Sequence, residues 1–128
     1  MRGQKLFIRP IDVNDSESLR QFLEASQAAV EVPSFGLMGR LVGDLVAVLA
    51  MEITAHSIDI VHLVVRPDLR RKQIGRFMID EAAQMAVKLD RPSLIVRQDC
   101  TSDFFTRVGF RPDTGGLLRR VDARVTGN

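Results

Sequence analysis

Tryptophan and tyrosine are absent from this sequence, and cysteine occurs once. Each absence excludes something. Proteins that hold single-stranded nucleic acid usually interleave basic residues with stacking aromatics, and here only seven phenylalanines are present, so a nucleic-acid partner is not expected. The lone Cys100 cannot close an internal disulfide, which suits a reducing compartment. Together with His56 and His62 it lacks the spacing of a zinc site, and no metal is expected. Long hydrophobic runs are missing too. The longest, Leu45 to Met51, is far short of the roughly 18 residues that would suggest a membrane span. Met1 to Pro10 has no apolar core of the signal-peptide kind, so a cytoplasmic protein without membrane contact is expected.

What is present is the composition of a folded domain. Of 128 residues, 45% are hydrophobic and 27% charged, with the charges interspersed, which argues against disorder. The length fits one domain, residues 1–128, with no repeat or linker. Net charge is only +2, but the basic residues are concentrated in one place. Arg66, Arg70, Arg71, Lys72 and Arg76 face a single acid, Asp68, whereas Asp12 to Glu31 holds five acids against Arg20.

That basic stretch lies inside Leu63 to Asp80. Leu63, Val64 and Val65 end a strand at Arg66-Pro67, because proline lacks a ladder donor and extends the residue before it. A helix follows from about Arg71 to Leu89, with Ile74, Phe77, Met78, Ala82, Met85 and Leu89 in helical period, and Asp90-Arg91-Pro92 stops it. Its first N–H groups, its dipole and the basic cluster together favour a bound polyphosphate. Upstream, Lys5 to Arg9 alternates as a first strand. Asn14, Asp15 and Ser16 are N-cap candidates for a helix running to about Val30. Ser34 to Leu41 and Leu45 to Ile53 then read as a hairpin turning at Gly43-Asp44. Ile58 to Val65, the basic helix and Ser93 to Gln98 form one β-α-β unit with parallel strands. Thr101 or Ser102 caps a short helix to Val108, and Phe110-Arg111-Pro112 and Leu117 to Val121 close the chain as strands around Gly115-Gly116.

These residues resemble the GNAT superfamily of acetyl-CoA-dependent N-acetyltransferases. The likeness rests on Ile8-Arg9-Pro10, on the strand end Leu63 to Pro67, on Arg70-Arg71-Lys72-Gln73-Ile74-Gly75 as the pyrophosphate loop, and on Phe104 to Pro112 as the late helix-strand signature. It implies an α/β fold of the acyl-CoA N-acyltransferase type, with a mixed, mostly antiparallel sheet and a β-α-β unit for acetyl-CoA. Leu63, Val64 and Val65 would pair with the pantetheine arm. Arg70, Arg71, Lys72, Gln73, Ile74, Gly75 and Arg76 would hold the pyrophosphate, and Phe105 would pack near the cofactor. Gln73 replaces the first glycine of the family's loop. If it lies in the first helical turn its Cβ points aside, and weakened rather than abolished CoA binding is expected.

The acceptor would be an amine of a small molecule or a protein, taken by a monomer or a homodimer. An ammonium with pKa near ~10.4 is about one part in a thousand neutral near pH 7.4, so a base or desolvation must supply roughly 4 kcal/mol. Asp59 stands where histone-acetylating relatives carry a glutamate base. His62 has a suitable pKa but opposite strand parity from Asp59, and Glu52 is a third candidate. Phe105 occupies the position of the family's Tyr acid. The alternative is therefore a catalytically weak CoA-binding module that regulates a protein partner.

Overall fold

The computed structural model describes residues 6–70, 73–97, 103–113 and 116–121. Its elements are β1 (Leu6–Pro10), a 3-10 turn (Val13–Asp15), α1 (Ser16–Ala25), β2 (Gly36–Leu41), β3 (Asp44–Ile53) and β4 (Ser57–Val65). A second 3-10 turn (Pro67–Leu69), α2 (Ile74–Lys88), β5 (Ser93–Arg97), α3 (Asp103–Arg107), β6 (Arg111–Asp113) and β7 (Gly116–Arg120) follow. The seven strands form one mixed sheet in the order β1-β2-β3-β4-β5-β7-β6. Antiparallel ladders join β1 to β2, β2 to β3, β5 to β7 and β6 to β7. β4 and β5 are parallel over Ser57–Ile60 and Ser93–Val96, as a β-α-β unit requires. The expected caps Thr101 and Ser102, and Cys100, lie outside the described residues.

The chain divides into two compact units, Met1–Met51 with His62–Met78, and Glu52–Val61 with Ile79–Asn128. In the first, Leu19, Phe22 and Leu23 of α1 pack on Met38 and Val48, and Val64 of β4 joins them from the rim. Their i, i+3, i+4 spacing places them on one helical face, opposite Arg20 and Glu24, which pair with each other. Arg9 anchors the entry to this helix, donating from Nη1 and Nη2 to Asp15 at 2.9 and 2.8 Å. Asp15 also accepts from the Asp12 N–H, so its carboxylate is occupied and does not cap α1. Among the described residues of the second unit the buried hydrophobic side chains are Ile58, Ile60, Ile79, Ala82, Ala86, Leu94, Val96, Phe105, Phe110 and Leu117.

Several boundaries differ from the sequence reading, and for a shared reason. α1 stops at Ala25 rather than near Val30, because Gln27 takes a left-handed φ of 58°. The Gln27 and Ala28 N–H groups then turn back to Glu24 O and Leu23 O, a Schellman closure without glycine. Asp90 closes α2 in the same way, at φ 58° with Arg91 N–H on Ala86 O. The β2–β3 hairpin turns at Val42-Gly43, one residue earlier than expected, with φ of 52° and 85° as a type I′ turn demands. Phe77 and Leu89, counted in the apolar stripe of α2, are 45% and 38% exposed, and the buried face is Ile74, Met78, Ile79, Ala82 and Ala86. Among the described residues no helix is long and apolar enough to cross a membrane.

Candidate active site

Within the first unit, β4 ends against β3. The Arg66 N–H donates to Val46 O at 2.8 Å, which fixes the direction of the amides before it. Alternation along an extended strand turns the Leu63 and Val65 N–H groups to the edge opposite β3. Pro67 then starts a 3-10 turn, and Leu69 N–H closes it on Arg66 O. The sequence reading counted Arg66 among the phosphate-neutralising cations. Its guanidinium is instead held by Asp68, at 2.7 Å from Nε and 3.2 Å from Nη2, because the turn brings the two side chains together. Arg70 and Arg76 are exposed. Arg71 and Lys72 lie outside the described residues.

Gln73 is not in the first helical turn. It precedes Ile74 with φ 66°, the left-handed conformation that glycine adopts without strain, and its carbonyl accepts the first helical bond from Phe77 N–H at 3.1 Å. The family's glycine is thus replaced at a position whose backbone still takes a glycine's shape. The N–H groups of Ile74, Gly75 and Arg76 precede that first bond and have no acceptor within the helix. Ile74 is buried and fixes the helix, while Gln73 and Arg76 face solvent. Basic side chains, orphan amides and a left-handed entry fit a diphosphate in donor chemistry and in charge.

His62, two residues before Val64, is half-buried. Its Nδ1 is shielded from solvent and meets no hydrogen-bond partner. Burial holds the imidazole below its ordinary pKa, with a hydrogen bond to the Glu31 backbone acting in the other direction. Glu31 was not marked by the sequence, since a backbone contact from a loop leaves no side-chain signal.

In the second unit, Asp59 Oδ1 accepts from Ser57 Oγ at 2.7 Å. That hydroxyl stands 2.8 Å from Thr54 Oγ1, which in turn accepts the Ser57 N–H. Asp59 therefore belongs to the polar network that closes the β3–β4 turn. Glu52 is exposed near the end of β3. Phe105 is 5% exposed and packs edge-on against Phe104 and Phe110, with centroids 5.2 and 5.5 Å away. The first unit thus gathers His62, Leu63, Val64, Val65, Arg70, Gln73, Ile74, Gly75 and Arg76, while Asp59, Glu52 and Phe105 belong to the second. Among the described residues no group of three or more His, Cys, Asp or Glu could hold a metal ion.

A parallel β-α-β unit with a basic, left-handed entry to its helix defines an anion-binding α/β protein. The family model for the acetyltransferase (GNAT) domain matches residues 34–112. The chain belongs to the GNAT acetyltransferase family, whose enzymes take an acetyl group from acetyl-CoA and pass it to an amine. Among solved structures, Ard1 from Thermoplasma volcanium superposes with a TM-score of 0.73 at 14% identity, covering 91% of this chain and 98% of that one. A GNAT family acetyltransferase from Brucella melitensis, solved with acetyl-CoA, gives 0.72 at 14% identity over 92% and 89%. The ribosomal-protein-S18-alanine N-acetyltransferase from Escherichia coli gives 0.67 at 12% identity over 92% and 95%. At these identities the likeness is one of fold. No curated protein matches the sequence.

Proposed function

We propose that the protein acetylates a primary amine, carried by a small molecule or a protein, and that His62 accepts the amine's proton. The observation carrying this reading is the imidazole Nδ1, shielded from solvent and without a partner, on the strand whose Leu63 and Val65 amides turn away from β3. Burial keeps His62 neutral at pH 7, so it can take a proton. In this reading Ile74 to Arg76 N–H groups and the Arg70 and Arg76 side chains hold the diphosphate of acetyl-CoA, and Leu63 to Val65 align the pantetheine arm. As the amine nitrogen bonds to the thioester carbon, the carbonyl oxygen gains charge that the Val65 N–H accommodates. The C–S bond then breaks and the thiolate of CoA leaves. With a thiol pKa near ~8.5 it departs without a protein acid, which suits a chain that has no tyrosine. The likeness to an enzyme whose acceptor is a ribosomal protein supports a protein amino group.

The test is thiol release from acetyl-CoA with a panel of amines. His62→Gln is expected to lower kcat by about 10²–10⁴-fold, leave KM for acetyl-CoA unchanged, and remove the acidic limb of the pH profile. Full activity in His62→Gln, with loss in Asp59→Asn, would transfer the role to Asp59. A second reading, a CoA-sensing module that acts on a protein partner, draws on the burial of Phe105 where the family has its acid. CoA binding without thiol release from any amine would favour it.

A further inference from the structure

In the second unit β6 has three residues and β7 five, so one end of β7 is unmatched on its outer side. β7 pairs with β5 as far as Arg120, which stands opposite Ser93, but its ladder with β6 ends at the pair Arg111 and Leu118. The Val121 N–H donates to Pro92 O at 2.7 Å, on the β5 side. Alternation along the strand therefore turns the Arg120 N–H to the other side, past the end of β6. Gly109 would stand opposite Arg120 if that ladder ran on. It takes φ 102° and carries no side chain, which leaves the corner open. A groove of about 670 Å³ runs over the edge of the sheet here, lined by Gly109, Arg111, Leu118, Arg119 and Arg120 among others.

Because it crosses the edge, the groove collects cations from both faces of the sheet. Arg111 and Arg120 share the face of Leu118, are exposed, and have no acidic partner among the described residues. Arg119 comes from the opposite face. Its Nη1 donates to Asp80 Oδ1 at 3.4 Å and to Val108 O at 3.3 Å, and its Cδ lies 3.6 Å from where a Cβ on Gly109 would stand. Three guanidinium groups and the Arg120 N–H are thus set against one carboxylate. Ser93 is the first residue of β5, so the groove lies at the amino end of that strand, whereas a β-α-β unit takes its ligand at the carboxyl ends. We infer that the groove is a second anion site, built for a dianionic oxyanion carried as a phosphate ester or as a dicarboxylate. Two negative charges balance the surplus of the arginines, and the guanidinium forks match paired carboxylate or phosphate oxygens. The site is independent of the acetyl-transfer reading.

Calorimetric titration with inorganic phosphate, malonate and acetate at constant ionic strength tests it, on protein mixed with excess CoA so that the diphosphate site of the first unit is filled. Phosphate and malonate stand for the two sources, and acetate for a single charge. At least one dianion is expected to bind about tenfold or more tightly than acetate, since a second charge-assisted pair distinguishes them, and the stronger of the two identifies the source. Arg111→Gln/Arg120→Gln is expected to remove that preference. Lys88→Gln/Arg107→Gln, which takes the same charge from exposed positions of the same unit outside the groove, should keep it. Circular dichroism reports that both variants fold. No binding of either dianion, equal binding of acetate, or equal weakening in the two variants would overturn the inference. The paired variants locate the binding whether or not CoA is bound, so a failure of acetyl transfer leaves this result standing, and thiol release that continues without dianion binding defeats the groove alone.

Discussion

Glutamine at position 73 holds a backbone conformation that costs a non-glycine residue about 1–2 kcal/mol, and it does so where a diphosphate would approach. Gln73→Gly is therefore expected to raise stability by roughly 0.5–1 kcal/mol, after the greater freedom glycine gives the unfolded chain. It should also tighten CoA, because the Cβ nearest the approaching ligand is removed. Gln27→Gly relieves a similar φ at the end of α1 and is expected to change stability alone. Calorimetry with CoA beside thermal melts reads both effects, and equal CoA affinity in the two variants would remove Gln73 from the site. His62 gives a pH signature at the same scale. Its folded-state pKa lies below the ordinary value of about 6.5, so the unfolded chain binds more protons between the two values. Stability is full above about 6.5 and falls as pH drops through that value toward the folded pKa. His62→Gln should flatten this part of the melting profile, and an unchanged slope would show that the imidazole titrates freely.

The elements were legible where residue type alone decides them. Proline as the last residue of β1 and shortly after β4, the apolar stripe of α1 and the parallel β4 and β5 around a long helix were all read from pattern. What pattern could not supply was backbone φ at Gln27, Val42 and Gln73, residue types that rarely turn left-handed, and at Asp90, a type that does so more readily; the closures around them required it. The Arg66–Asp68 pair was hidden for a related reason: only the 3-10 turn brings the two together. Position 36 shows how strictly a register can bind an element. Gly36 opens β2 at φ 151°, and a Cβ built on it would stand 2.0 Å from Leu49 O. Because that atom is backbone of the neighbouring strand, β2 must move away from β3. Gly36→Ala is expected to cost more than about 3 kcal/mol in denaturant unfolding, at the severe end for single substitutions. A loss under about 1 kcal/mol would mean the strand end shifts freely.

At the scale of the molecule, the two compact units are interleaved in sequence: the chain passes between them after Met51, after Val61 and after Met78. Two of these crossings fall inside single elements, β4 and α2, whose hydrogen-bonded backbones run through without interruption. A strand or helix cannot melt in one half while the other stays paired without exposing the amides at the junction, which makes partial unfolding costly. We propose that residues 1–128 unfold as one cooperative domain. Calorimetry should then give a single transition whose calorimetric and van't Hoff enthalpies agree. Acetyl-CoA at one hundred times its dissociation constant should shift that whole transition upward, by roughly 2.7 kcal/mol of stability. In a chain of this length that is on the order of 10 °C. Two transitions, only one of them moved by acetyl-CoA, would divide the chain into independent parts and confine the donor site to one of them.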